Sequence, residues 1–94
     1  MVILAVKINL YLKFANNIKE KRNLNRQIIE RIKSRFKVNA AELKSSLLKN
    51  SEIGIVICND EKNFLEKILA KLYEFLNNYY FEYINYIEYN YFYF

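Results

Sequence analysis

Eight cations fall between Ile18 and Lys37: Lys19, Lys21, Arg22, Arg26, Arg31, Lys33, Arg35 and Lys37. Two acids, Glu20 and Glu30, lie among them, so this stretch carries +6. The whole chain of 94 residues carries +5, which leaves −1 for everything outside it. A row of ammonium and guanidinium groups on one element is equipped to hold a charged polymer such as a phosphate backbone. The plainer reading is a solvated helix face that keeps a small protein in solution. Lys19, Lys21, Arg22, Arg26 and Lys33 are the candidate nucleic-acid-binding residues. Lys19, Lys21 and Arg22 also stand near a helix start, where backbone N–H groups favour an anion. Pairing with Glu20 or with sheet-edge carboxylates is the structural alternative for that cluster.

Carriers of bond-making chemistry are scarce. There is no histidine, which removes the commonest general base and any Ser-His or Cys-His nucleophile pair. One cysteine and scattered carboxylates give no zinc-ligand spacing. A single glycine, Gly54, cannot build a phosphate-cradling loop. Glu61 and Glu66 have no visible reason to converge. The sequence therefore predicts no catalytic residues, no metal and no cofactor, and the chain reads as something other than an enzyme.

The elements that must carry the cations follow from periodicity. Val2 to Leu12 alternates, with Val2, Leu4, Val6, Ile8, Leu10 and Leu12 on one apolar face, and predicts a half-buried strand. Asn16-Asn17 is a turn and a helix cap. A helix is expected from Ile18 to Phe36, with Ile18, Leu24, Ile28, Ile29, Ile32 and Phe36 on its inner side. Lys19, Arg22, Arg26 and Lys33 gather on the opposite side with Glu30. Lys21 falls inside the apolar arc and is expected to snorkel outward from the helix start.

Val38 to Leu43 predicts a second, short strand. Lys44 to Ser51 predicts a loop in which Leu47-Leu48 could turn or dock onto the core. The unbroken apolar run from Ile53 to Cys58 predicts a central strand with Cys58 as a buried thiol. Asn59-Asp60 is expected to cap a second helix from Glu61 to Asn77, with Phe64, Leu65, Ile68, Leu72, Phe75 and Leu76 inward. Tyr79 to Phe94 holds ten aromatics in sixteen residues, which favours a strand of ambiguous register.

The order β-α-β-β-α-β predicts one α+β domain over 1–94. It is a ferredoxin-like sandwich: a four-stranded antiparallel sheet in the order 4-1-3-2, with both helices on one face. The other face is left open. Ile3, Ala5 and Tyr11 on that face, with Tyr86, Tyr89 and Tyr91 from the last strand, form the candidate surface for self-association into a homodimer or larger homo-oligomer. Asn, Ile, Lys and Tyr all use A/T-rich codons, so genome bias is a duller source of the same aromatics. The N-terminus lacks a basic region and a cleavage site, and no stretch reaches membrane-spanning length. With one cysteine and no disulfide, a cytoplasmic setting is expected.

Three blocks carry a resemblance. Ile18-Lys19-Glu20-Lys21-Arg22 is similar to the S-L-K-[ED]-K-R signature of the YlxP-like family of small bacterial proteins. Arg35-Phe36-Lys37-Val38-Asn39-Ala40-Ala41-Glu42-Leu43 resembles its R-F-N-V-S-V-A-E-V block. Gly54-Ile55-Val56-Ile57-Cys58-Asn59-Asp60 resembles its G-[IV]-[AV]-V-V-S-N-D. The family's Pro-Gly before the first helix is replaced by Lys13-Phe14-Ala15, its serine by Asn17, and the tail is more aromatic. The resemblance implies a ferredoxin-like fold with no established activity. The gene neighbourhoods of that family imply, by association alone, a link to the ribosome or to RNA.

Overall fold

The computed structural model describes residues 1–43 and 47–94. The elements run β1 (Val2–Tyr11), α1 (Ile18–Phe36), β2 (Asn39–Leu43), β3 (Asn50–Asn59), α2 (Lys62–Tyr80), a 3-10 turn (Phe81–Tyr83) and β4 (Ile84–Tyr93). The sheet is antiparallel in the order β2-β3-β1-β4, the order that the sequence predicts. The arrangement is ferredoxin-like. Residues 44–46, the start of the expected loop, lie outside the described residues.

Alternation in β1 places Val2, Leu4, Val6, Ile8 and Leu10 under the helices, all buried. Ile53 and Ile55 of β3 continue that layer, because residues opposite one another in an antiparallel pair share a face. Ile28 and Ile32 of α1 meet it from above, as do Leu65, Leu69, Leu72 and Leu76 of α2. In α2, Leu69 takes the inward place expected of Phe64 and Ile68. Phe64 sits exposed on the first turn.

β3 starts at Asn50, earlier than the apolar run suggests, because Asn50 and Ser51 still pair with Tyr11 and Leu10. α2 continues past Asn77 to Tyr80. Tyr80 lies four residues after Leu76 on the same buried stripe, so packing overrides the strand preference of an aromatic segment. Register in β4 is fixed by its pairing with β1, with one irregularity at Asn9/Leu10.

Cys58 is exposed, against the expectation of a buried thiol. It stands opposite Ile3 on the open face; the run from Ile53 to Cys58 is covered on one side only. Val56, on the same face, is likewise exposed. Leu47 and Leu48 are exposed and do not dock onto the core.

Candidate nucleic-acid interface on the first helix

Asn17 caps α1, its side-chain oxygen accepting from the Glu20 N–H at 2.9 Å. Glu20 in turn accepts from the Asn16 N–H at 2.8 Å. Its carboxylate serves the helix start and does not pair with Lys19 or Arg22. The helix ends at Lys37, which adopts the left-handed conformation (φ 56°) and donates its N–H to the Lys33 carbonyl.

Between those ends the cations divide into three groups. Lys21 is 8% exposed, and its ammonium donates to the Leu47 carbonyl at 2.8 Å. It does not snorkel outward. Its place in the inner arc turns it towards the segment before β3, where a backbone acceptor is within reach. Arg31 and Arg35 turn towards α2. The Arg31 guanidinium lies 4.4 Å from the Tyr79 ring centre and 5.3 Å from that of Phe75, and donates to the Tyr80 hydroxyl at 2.7 Å. Arg35 stands 5.3 Å from the Phe75 ring. These two cations fasten helix to helix.

The third group is Lys19, Arg22, Arg26 and Lys33. All four are exposed, and they share the flank of α1 that overhangs β2, the outer strand of the sheet. Among the described residues none of them forms an ion pair. Arg22 and Arg26 line a shallow groove with Ile29 and Glu42. A second, open depression at the start of α1 is lined by Lys19, Arg22, Leu47 and Leu48. Glu42 and Glu30 temper the positive field without neutralising it.

A buried polar cluster that sequence reasoning missed holds this flank in place. Asn25 is wholly buried within α1. Its amide donates to the Glu42 carboxylate at 2.9 Å and accepts from the buried Ser51 hydroxyl at 2.6 Å. One residue thus ties α1 to both β2 and β3 between Arg22 and Arg26. The only signal was a spacing: Lys21, Asn25, Ile28 and Ile32 follow the i, i+4, i+7, i+11 stripe. Lys21 is expected to snorkel outward, and nothing in the sequence singles out Asn25.

The six candidate association residues do not form one patch. Ile3 and Ala5 are half-buried on the open face, and Tyr11 is exposed at its end. Tyr86 stands on that face opposite Asn9. Tyr89 and Tyr91 stand opposite Val6 and Leu4, on the helix side. Tyr91 packs against the core beneath the Lys62 ammonium, 4.8 Å from the ring centre, and meets Tyr89 edge-on at 6.0 Å. Burial pushes the Tyr91 phenol above its usual range, and Glu66 adds to the rise while Lys62 opposes it. Burial also raises Tyr73, with Tyr89 contributing. The open face instead gathers Val56, Phe92 and Cys58 around Ile3 and Ala5.

Among the described residues no group of three His, Cys, Asp or Glu side chains is placed to hold a metal. No helix there is long and apolar enough to cross a membrane. A family model described as "Protein of unknown function (DUF503)" matches residues 3–89. A search of curated proteins finds no match.

Proposed function

As the chain belongs to the DUF503 family of proteins of unknown function, we propose that it works by binding rather than by catalysis, holding the phosphate backbone of RNA on the flank of α1. The observation that supports this is the division of the cations. Lys19, Arg22, Arg26 and Lys33 stay exposed on one flank without ion-pair partners among the described residues, while Lys21, Arg31 and Arg35 are drawn into packing. Exposed, unpaired cations along one flank are what a polyanion tracking the helix would meet. The YlxP-like blocks around Ile18–Arg22 and Arg35–Leu43 favour the same reading through the gene neighbourhoods of that family, a link to the ribosome or RNA by association alone. The setting would then be cytoplasmic, and the partner RNA or the ribosome.

Contacts of this kind position a backbone and carry little sequence information, so preference among RNA sequences should be weak. Reversing Arg22 and Arg26 to Glu tests the proposal. Both point away from the core, so the far-UV spectrum should be retained while RNA affinity at low salt is lost. Equal affinity in wild type and double mutant would overturn it.

A second reading is self-association through the open face and β4. The exposed Val56 and Phe92 favour it.

A further inference from the structure

The two edges of the sheet are protected unequally. β2 is five residues long, carries Glu42, and lies beside α1. Short length, charge and cover are the usual ways of blunting an edge. β4 is ten residues long, with no Lys, Arg, Pro or Gly and Glu88 as its one charge. Among the described residues nothing pairs with its outer side.

Hydrogen bonding settles which backbone groups of β4 face outward. The Met1 ammonium donates to the Phe94 carbonyl and the Phe94 N–H to the Met1 carbonyl, both at 2.8 Å. That is a hydrogen-bonded pair, and such pairs alternate along an antiparallel ladder. In the observed register Ile3–Phe92, Ala5–Asn90 and Lys7–Glu88 belong to the same class. The N–H and C=O groups of Ile87, Tyr89 and Tyr91 therefore point away from β1; the Tyr91 N–H is met by the Asn90 side-chain oxygen at 2.9 Å, and the others face the edge.

We propose that this edge pairs with the same edge of a second copy, antiparallel and centred on Tyr89. The proposal rests on the self-association reading and moves it from the open face to the strand edge. In a two-fold pairing that continues the sheet, opposite residues lie on the same face, so the axis must pass through a residue. Centring on Glu88 would set two like charges directly opposite, which is destabilising. Centring on Tyr89 sets Glu88 against Asn90 of the other copy, an acceptor against an amide. Ile87 then meets Tyr91, and Tyr86 meets Phe92, on matching faces. Tyr89 exchanges two backbone bonds with its opposite, and Ile87 and Tyr91 do the same once the Asn90 side chain releases the Tyr91 N–H.

Tyr86, Tyr89 and Phe92 are each about half exposed, so covering them buries on the order of 100 Å² apiece. That is well under the roughly 800 Å² per partner of a standard interface, so the pair is reversible. α1 lies on the β2 side, which leaves both basic flanks at the outer ends of the continued sheet.

Sedimentation equilibrium over about 1–300 µM tests this. Wild type should pass from the mass of one copy to that of two. Tyr89→Pro removes an outward N–H that the chain's own sheet does not use, a change that edge strands tolerate. It should hold the protein at one-copy mass throughout, as should Tyr89→Lys. Val56→Lys, on the open face, should associate like wild type. With Cys58→Ser as background, Tyr89→Cys should cross-link to itself under mild oxidation and Tyr86→Cys should not. Loss of association in Val56→Lys with retention in both Tyr89 variants would overturn the edge assignment and leave self-association standing. So would self-cross-linking of Tyr86→Cys in place of Tyr89→Cys. A wild type that stays at one-copy mass throughout would overturn both.

Discussion

Replacing Asn25 with leucine should be among the most damaging single changes in α1, although it gives the helix a better helix-forming residue. Two hydrogen bonds disappear, from the Asn25 amide to Glu42 and from the Ser51 hydroxyl to Asn25. Each is worth about 1 kcal/mol net. Ser51 is wholly buried, and losing its acceptor adds about 1–3 kcal/mol of uncompensated desolvation. Higher helix propensity returns only about 0.5 kcal/mol. The net loss is about 2.5–4.5 kcal/mol. With a urea slope of about 1–2 kcal/mol per molar for a chain of this size, the unfolding midpoint should fall by about 2 M. Asn25→Leu combined with Ser51→Ala removes both polar partners and should recover a good part of that loss. Urea titration followed by far-UV circular dichroism reads both. A single-mutant shift below about 0.5 M, or a double mutant worse than the sum of its parts, would show that the cluster does not pin α1 to the sheet.

Two further outcomes follow from the same geometry. Lys21→Met should leave RNA affinity at low salt within about twofold of wild type, because the Lys21 ammonium is committed to the Leu47 carbonyl and contributes little to a field set by exposed cations; filter binding beside Arg22→Met checks this. The phenols of Tyr73 and Tyr91 are raised in the folded protein, chiefly by burial. The folded state therefore holds those protons more tightly, so their contribution is fully present below the unfolded tyrosine value of about 10 and is lost as pH rises through the folded values. Urea midpoints measured between about pH 8 and 11 should fall above pH 10, and fall less in Tyr73→Phe.

The frame of the molecule was legible because it rests on patterns that a single segment carries by itself. The even-numbered residues of β1 are apolar without exception, and only a strand covered on one side needs that. Asn17 before Ile18 marked the start of α1, and the structure ends that helix at Phe36 as expected. What could not be read depends on a neighbour. Val56 and Cys58 look like core residues in the run Ile53–Cys58, and only the absence of a second layer leaves them exposed. Tyr80 belongs to α2 because it reaches Arg31, a residue far away in sequence. Lys21 and Asn25 are buried because β2, β3 and the segment before β3 offer them partners. Of the candidate cations, Lys19, Arg22, Arg26 and Lys33 are brought together and Lys21 is removed. Of the aromatic candidates, Tyr89 and Tyr91 face the helices because β1 sets the register of β4.

The most direct test of the polyanion reading is the salt dependence of RNA binding by the wild-type protein. If Lys19, Arg22, Arg26 and Lys33 each neutralise one phosphate, log affinity should fall with log salt with a slope of about −3 on single strands, and of about −3.6 on B-form duplex DNA. A slope near zero, or no binding at low salt, would mean that this flank of α1 is a solvated surface and nothing more.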